Sequence, residues 1–260
     1  EFDLPVNKTA LVVGGGIAGM TCALSIAAQG HTVELVEKSK DLGGMGRRIH
    51  GTLEGLEVQT YLDDLIAKVY KNPRIHVSHE AEIKEVAGYL GNFTTTVQTE
   101  GRTKVIKHGA SVLAIGADVY NPTEYLYGEN DAVFTHLEIG EEIAKNNETV
   151  TGAESLVMIQ CVGSRNETHN YCSRVCCGHA VKNAIKLKEK NPDMRIYILF
   201  RDMRTYGFKE DAYRRASELG VQFIRYTPED PPEVEAISEG GKDLIRVTVT
   251  DPILGNRLEL

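Results

Sequence analysis

The chain has 260 residues, of which 42% are hydrophobic and 25% charged, and its formal net charge is -8 at pH 7. This length and composition fit two globular domains, each with a core of its own. The acidic balance argues against nucleic acid as the main partner, because a phosphate backbone requires a basic face. The sequence contains neither a long apolar run nor a secretory signal, so we expect a cytoplasmic protein without direct membrane insertion.

The N-terminal segment, residues 9–38, predicts one βαβ unit. Residues 9–13 form an apolar run typical of a strand, and the residues after GGGIAG have helical spacing up to a glycine at position 30. The segment HTVELVEK then predicts a second strand. This order is the setting in which a glycine-rich turn binds a dinucleotide.

The turn of this unit has the pattern G-x-G-x-x-G, formed by Gly14, Gly16 and Gly19. The first glycine permits the tight turn, the second permits close approach to a pyrophosphate, and the third permits close packing of helix and strand. The helix N-terminus stabilises a nearby anion by roughly 0.3–1 kcal/mol. Glu37 ends the second strand, where its carboxylate accepts hydrogen bonds from ribose hydroxyls and repels the 2′-phosphate of NADP. We therefore predict a dinucleotide site.

The segment that follows predicts the rest of the first domain. Apolar residues at helical spacing indicate a helix over 53–72, which ends at an Asn-Pro pair. Three segments then predict strands separated by glycine-bearing turns: 75–88, 92–101 and 102–116. They form a small antiparallel layer that leads back to a buried strand, SVLAIG. The less regular stretch 117–153, with a helix at THLEIGEEIAKN, is the expected connection between domains.

The remaining sequence repeats the alternation of strand and helix. SLVMIQC and RIYILF indicate strands, with a long turn and a helix over about 174–190 between them. A helix at FKEDAYRRASELG and strands at VQFIRY, VEAISE and DLIRVTVTD follow. The alternation predicts a second parallel sheet. The predicted fold class is therefore α/β, with two Rossmann-like domains of FAD/NAD(P)-binding type, three-layered, of which the first carries the small antiparallel β layer.

Four of the five cysteines surround the turn of this second domain, where a nucleotide-binding unit would have glycines: Cys161, Cys172, Cys176 and Cys177. Their spacing, C-x10-C-x3-C-C, favours an iron–sulfur cluster, which usually takes four thiolates. If the helix has begun by Cys172, Cys172 and Cys176 lie one turn apart, and helix N–H groups favour thiolate. A zinc site, a redox-active disulfide between Cys172 and Cys177, and inert buried thiols remain as alternatives. The fifth cysteine, Cys22, is interpreted as a core residue.

The sequences EKSKDLGGMG at 37–46 and ASVLAIG at 110–116 resemble flavoproteins with two dinucleotide-binding domains, the thioredoxin reductase and glutathione reductase group. The resemblance implies FAD as the dinucleotide. The cofactor-binding residues expected from the pattern and the resemblance are Gly14, Gly16, Ala18, Gly19, Glu37, Lys38, Gly43, Gly44, Ile83 and Gly116. Arg47 and Arg48 either face phosphate or are solvated loop charges. Residues 160–165 lack the second glycine turn of that group, so we expect no ordinary nicotinamide site.

The sequence IQCVGSRNETHNYCSRVCC, with GGGIAGM upstream and EYLYG at 124–128, is similar to the HdrA-type flavoprotein of heterodisulfide reductase and its relatives in methanogens and sulfate reducers. The similarity covers nearly the whole chain. It implies FAD in the first domain, a 4Fe–4S cluster on the four cysteines, and a link to flavin-based electron bifurcation. The implied partners are other heterodisulfide reductase subunits and ferredoxin- or hydrogenase-type electron carriers, with a homodimer as a further expectation.

We therefore interpret residues 1–120 as a FAD-binding domain, 121–150 as a connection and 151–260 as an NAD(P)-binding-like domain with the cluster motif. The start without Met and the missing return segment of the first domain predict a fragment. The predicted function is an electron-transferring oxidoreductase with no residue assigned to acid–base or nucleophilic catalysis. The alternative function is a pyridine-nucleotide-dependent disulfide reductase with Cys172 and Cys177 as its dithiol.

Overall fold

The computed structural model describes residues 5–260, apart from the side chain of Lys242. The chain divides into two compact units, one formed by residues 5–50 and 57–118 and the other by residues 51–56 and 119–260. Each unit contains a parallel sheet, helices and a separate antiparallel sheet. Among the described residues, no helix has both the length and the apolar character that a membrane span requires.

The first unit is built on a four-stranded parallel sheet. Its strands are β1 Ala10–Val13, β2 Val33–Val36, β3 Ile75–Ser78 and β7 Ala110–Leu113. Their order is β3-β2-β1-β7, so the strand before the glycine turn lies in the interior of the sheet. The unit's helices are α1 Ile17–Ala28, α2 Val58–Lys71 and a 3-10 helix at Gly44–Arg48. Met20, Leu35 and Leu62 are fully buried in the core that these elements share, and Cys22 packs half-buried against it, as predicted.

Two details of this part of the chain differ from the sequence prediction. The helix predicted over 53–72 begins at Val58, because residues 52–56 form a tight loop in which Gly55 has a φ of +85° and the Thr52 N–H donates to the Leu56 carbonyl. The strand at SVLAIG is an edge strand rather than a buried one, and the Leu113 residue is 74% exposed. Since β7 pairs only with β1 in its sheet, its side chains lack a second flanking strand.

A three-stranded antiparallel sheet packs on the parallel sheet of the first unit. It consists of β4 Ala81–Tyr89, β5 Asn92–Thr99 and β6 Arg102–His108. The strand predicted over 75–88 is therefore two strands, of which β3 joins the parallel sheet and β4 the antiparallel one. The chain changes direction between them at Glu80, whose φ is +46°. Leu11 and Val36 of the parallel sheet share a small core with Val97 and Ile106.

The second unit repeats this plan. Its parallel sheet has the order β10-β9-β8, formed by β8 Ser155–Ile159, β9 Arg195–Phe200 and β10 Gln222–Arg225. Its helices are α3 His136–Ala144, α4 Glu148–Thr151, α5 Cys176–Lys190 and α6 Lys209–Glu218. The parallel sheet was predicted and is confirmed. Ile139, Ile143 and Val150, in the stretch expected to connect the domains, pack with Ala184 and Leu187 in the core of this unit.

An antiparallel sheet also covers the parallel sheet of the second unit. Its strands are β11 Glu233–Glu239, β12 Lys242–Thr250 and β13 Arg257–Glu259. Leu199 and Ile224 of the parallel sheet pack against Val247 and Val249 of the antiparallel one. The three-residue strand β13, the short helix α4 and the 3-10 helix at Gly44–Arg48 had no counterpart in the sequence prediction. The predicted α/β fold class, with a parallel sheet in each of two units, is therefore confirmed.

Candidate functional site

The turn between β1 and α1 needs glycine at two positions for packing and leaves a third position open. A Cβ atom at Gly14, whose φ is +105°, would collide with the Ala114 carbonyl oxygen. A Cβ atom at Gly19 would collide with the Gly14 carbonyl oxygen. At Gly16, no atom lies within 4 Å of an added Cβ atom. Gly16 therefore presents bare backbone at the N-terminus of α1, which fits an approaching pyrophosphate.

The glycine pair Gly43 and Gly44 lies against this turn. The Gly43 N–H donates to the Gly15 carbonyl at 2.8 Å, and Gly16 and Gly43 form a parallel bridge. A Cβ atom at Gly44 would lie 3.3 Å from the Gly16 Cα. Both members of the pair have positive φ, at +121° and +50°, which favours glycine there. The two glycine segments thus form one backbone surface without side chains.

Glu37 is buried directly beside the turn. Its Oε2 accepts a hydrogen bond from the Gly15 N–H at 2.6 Å, and its Oε1 accepts one from the Ser39 N–H at 2.7 Å. Burial raises the pKa of this carboxyl, but the hydrogen bonds from Ser39 and Gly15 and the charge of Lys38 outweigh burial and hold it below its usual value. Glu37 is therefore ionised at neutral pH. Each oxygen retains a lone pair that can accept from a ribose hydroxyl.

The other predicted cofactor residues come from separate parts of the first unit and differ in exposure. Ala18 on α1, Lys38 after β2 and Gly116 after β7 are exposed. The Ile83 side chain on β4 is partly buried against the small core that the two sheets share. Arg47 donates from Nε to the Leu42 carbonyl at 2.5 Å. Arg47 therefore holds the loop of the glycine pair in place.

Sequence reasoning missed Leu42, which lies under the glycine turn. Its residue is only 1% exposed, and a Cβ atom added at Gly15 would collide with its Cδ2. The side chain is part of the core of the first unit. An apolar residue just before a glycine pair was the available signal, but spacing alone does not show that it packs under another turn.

Three of the four clustered cysteines approach one another where β8 ends and α5 begins. Cys161 follows the strand and has a φ of +66°, whereas Cys176 and Cys177 form the first turn of the helix. The Cys176 thiol interacts with the Cys177 thiol, the Ser173 hydroxyl and the backbone N–H of Cys161. The prediction that Cys161 approaches the helix start from the strand end is thus in line with this arrangement.

These contacts make the three thiols unequal. The hydrogen bond that the Cys177 thiol donates lowers the pKa of Cys176 to about 6. Burial opposes this shift, and the hydrogen bond with Ser173 adds to it. The same hydrogen bond, together with burial, raises the pKa of Cys177. Burial raises the pKa of Cys161, and Arg165 partly offsets that effect. Cys176 is therefore the thiolate of the group at neutral pH.

Cys172 lies outside this group. Helix α5 begins at Cys176, and the residue Arg174 between them has a φ of +61°, which no helix contains. The expectation that Cys172 and Cys176 lie one helical turn apart is therefore wrong. The Cys172 sulfur instead accepts the Arg174 backbone N–H at 3.3 Å. The redox-disulfide alternative is weaker for the same reason, since Cys177 contacts Cys176 and the Asp202 carbonyl rather than Cys172.

Asp202, which sequence reasoning missed, links the cysteine turn to the end of β9. Its carboxylate forms an ion pair with Arg165 at 2.6 Å and another with Arg225 at 3.3 Å. Arg165 also lies with its Nη1 3.8 Å from the Cys161 sulfur. The position of Asp202 just after a parallel strand was the available signal, because ligands in such sheets bind outside the carboxyl ends of strands.

The four cysteines do not form a metal site in this arrangement. Within residues 5–260, no group of three or more His, Cys, Asp or Glu side chains is arranged to hold a metal ion. All five cysteines are free thiols. The donor set fits an iron–sulfur cluster by its chemistry, because soft sulfur atoms suit iron. Ligation by all four thiols would therefore require their side chains to rearrange.

Comparison with known proteins relates this chain to one domain family and to longer proteins. The family described as NAD(P)-binding Rossmann-like domain matches residues 12–65, the βαβ unit and the start of α2. The A-type iron-sulfur subunit of CoB–CoM heterodisulfide reductase from Methanocaldococcus jannaschii is 29% identical over 98% of this chain and 52% of its own length. The A-type subunit of H2:CoB-CoM heterodisulfide,ferredoxin reductase from Methanothermobacter thermautotrophicus is 27% identical over 98% and 52%. The predicted resemblance to HdrA-type proteins of heterodisulfide reductase is confirmed, and the chain spans about half the length of these relatives.

The fold has relatives among solved structures of flavoproteins. Thioredoxin reductase of T. acidophilum superposes with a TM-score of 0.60 over 97% of this chain and 74% of that one, at 13% identity. At that identity the likeness shows the fold alone. It agrees with the predicted α/β fold class.

Proposed function

We propose that this chain is the FAD- and iron–sulfur-bearing electron-transfer core of an HdrA-type heterodisulfide reductase oxidoreductase. The observation that carries the proposal is the contrast between its two strand-to-helix turns. One turn is built of glycines and a buried carboxylate, and the other gathers three thiols where glycines would be. The likeness to HdrA-type proteins over nearly the whole chain supports it.

The first unit would hold FAD at its glycine turn, and bound FAD supplies two-electron chemistry at its isoalloxazine ring. Gly16 and Gly44 offer bare backbone to the pyrophosphate, and the ionised Glu37 accepts from the ribose. Gly14 and Gly19 keep α1 close enough to β1 for its N-terminus to reach the phosphates. The further residues proposed to contact FAD are Ala18, Lys38, Gly43, the backbone of Ile83, and Gly116.

The second unit would hold a 4Fe–4S cluster through Cys161, Cys172, Cys176 and Cys177, and such a cluster moves electrons singly. The low pKa of Cys176 provides one ligand already deprotonated at neutral pH. Arg165, near Cys161, offsets the negative charge of thiolate ligands. Cys172 lies in the loop 160–175 and would complete the set once the four side chains rearrange.

The names of the relatives suggest the setting of this activity. They are reductases of a CoB-CoM heterodisulfide, and one of them also names H2 and ferredoxin. We propose that this chain passes electrons between flavin and cluster in flavin-based bifurcation, in the cytoplasm. Its proposed partners are other heterodisulfide reductase subunits and ferredoxin- or hydrogenase-type carriers. Its proposed oligomeric state is a homodimer. The chain's own contribution is to bind and orient the cofactors, since no side chain is assigned to proton or group transfer.

A reductive titration tests this function. The chain is reconstituted without oxygen with FAD, iron and sulfide, and is titrated with dithionite while visible and electron paramagnetic resonance spectra are recorded. We expect uptake of about three electrons per chain, two by the flavin and one by a cluster. Uptake of two electrons by the flavin, or of four where Cys172 and Cys177 begin as a disulfide, without a cluster signal and together with NAD(P)H-dependent reduction of an added disulfide that Cys172→Ser abolishes, would favour the disulfide reductase instead.

A further inference from the structure

A cleft of about 510 Å³ lies in the second unit, between the cysteine loop and the segment that follows β9. Its lining consists of Arg165, Arg174, Arg201 and Arg204 together with two asparagines, a tyrosine and Cys172, which is one of the proposed cluster ligands. Its volume is in the range of small-molecule sites, but its lining is polar rather than apolar. A cleft of this composition suits a charged ligand.

The positive charges in this cleft are only partly compensated by the protein. Asp202 pairs with Arg165 but also with Arg225, and no carboxylate lines the cleft itself. In the part of the chain that the structure describes, the guanidinium group of Arg174 makes no hydrogen bond or ion pair, whereas Arg165 and then the charges of Arg225 and Arg204 all lower the pKa of the Asp202 carboxyl. This concentration of cations stands out in a chain whose net charge is -8.

Arg201 carries an unused donor at the same place. Its Nη1 donates to the Arg165 carbonyl at 2.9 Å, whereas its Nε is buried and has no hydrogen-bond partner among residues 5–260. A buried donor without a partner costs about 1–3 kcal/mol, and more when the group is charged. An anion in the cleft would reduce the repulsion among the guanidinium groups.

The geometry points to a phosphate-bearing small molecule as the occupant of this cleft, held by Arg174, Arg201 and Arg204. Guanidinium groups bind phosphate oxygens through two parallel hydrogen bonds, and a doubly charged anion balances several cations better than a carboxylate does. The cleft lies beyond the carboxyl end of β9, where ligands of open α/β sheets bind. Side chains replace the missing glycine turn as the source of donors.

This inference goes beyond the electron-transfer function, and it is tested in the metal-free chain because Cys172 and the loop 160–175 belong to both sites. The phosphate group has two sources, a free anion or a nucleotide. The probes are therefore inorganic phosphate, pyrophosphate and ADP, each titrated calorimetrically into the metal-free chain at low ionic strength. Tighter binding of ADP than of pyrophosphate would assign the site to a nucleotide, and equal or weaker binding of ADP would assign it to the free anion.

Arg204→Gln is the test variant and Arg246→Gln its matched control, since Arg246 pairs with Glu235 and Glu259 on the antiparallel sheet. We expect Arg204→Gln to weaken phosphate binding at least about tenfold, as the loss of a hydrogen bond to a charged group predicts, and Arg246→Gln to leave it unchanged. If Arg204→Gln does not fold, as judged by circular dichroism, Arg174→Gln replaces it, because that arginine is exposed and its guanidinium is unpaired. Equal binding by the test variant and the control, or no saturable binding of any probe by the native chain, would overturn the proposal.

Discussion

The two units of this protein place different residues at the same position of the same framework. In the first unit, residues 14–16 join β1 to α1 in a three-residue turn, and glycines let backbone and helix N-terminus face a ligand directly. In the second unit, residues 160–175 join β8 to α5, and the helix begins at Cys176 with two adjacent thiols. In both units, the strand before the turn pairs in parallel with the next strand of its sheet. The comparison teaches that the turn, rather than the sheet, decides which chemistry such a unit supports.

The largest expected effect is a loss of stability when a side chain is added in the tightly packed first turn. Gly19→Ala places a Cβ atom against the Gly14 carbonyl oxygen, and neither backbone can yield without moving α1 away from β1. We expect a loss of about 3 kcal/mol or more in the free energy of unfolding, measured with urea. Gly178→Ala on α5 is the control, since no atom lies within 4 Å of its added Cβ atom. Equal midpoints for the two variants would contradict the tight packing described for the first turn.

Glu37 gives the next largest effect, and it depends on pH. Glu37→Gln loses the charge that accepts from the Gly15 and Ser39 N–H groups, and we expect a cost of about 1–3 kcal/mol at pH 7. The pKa of Glu37 is lowered in the folded chain, so its contribution is fully present above the unfolded pKa and is lost as the pH falls through the folded pKa. The difference between native chain and variant should therefore shrink below about pH 4.

The control for this prediction is Glu34→Gln on the same strand. Glu34 pairs with Lys104 at 2.6 Å, and that lysine side chain is 43% exposed. Such a partly exposed pair contributes only about 0–1 kcal/mol. A destabilisation of Glu34→Gln as large as that of Glu37→Gln, or a Glu37→Gln effect that stays the same from pH 7 to well below about pH 4, would refute the account of Glu37.

A third change acts on binding without disturbing the fold. Gly16→Ala adds a methyl group in open space, so we expect normal unfolding but at least about tenfold weaker FAD binding, because the group lies where the pyrophosphate approaches. Fluorescence titration of bound flavin measures it. Gly178→Ala is again the matched control and should bind FAD as the native chain does. Undiminished binding by Gly16→Ala would place the dinucleotide elsewhere.

The smallest effect concerns the thiols of the second turn. In the metal-free chain, Cys176 should react with iodoacetamide with a midpoint near its pKa of about 6, since only the thiolate reacts. Mass spectrometry over a range of pH follows the modification. Cys176→Ser should remove this component, and Cys22→Ser should retain it. A reactivity that rises only near the ordinary cysteine pKa of about 8.5 would show that Cys176 is not the thiolate of the group.

The comparison of the turns also explains which parts were predictable from sequence. The βαβ unit, Glu37 and the second parallel sheet follow from local patterns, because strand, turn and helix signals lie within a few residues of one another. The convergence of Gly43 and Gly44 with Gly16 was implied only by resemblance, since residues far apart in sequence meet there through packing.

Other features depend on contacts that no local pattern encodes. The start of α5 at Cys176 rather than near Cys172 depends on the left-handed conformation of Arg174, a residue type without a strong preference for it. Asp202 and Leu42 take their roles from tertiary neighbours. The same holds for the arginine cleft, whose members come from two separate segments of the chain.

The measurement that tests the central claim most directly is iron and acid-labile sulfide per chain after reconstitution without oxygen. The account predicts about four of each in the native chain and in Cys22→Ser, and a loss of both in Cys176→Ser. Almost no iron in the reconstituted native chain, or an unchanged content in Cys176→Ser, would contradict a cluster at the second turn.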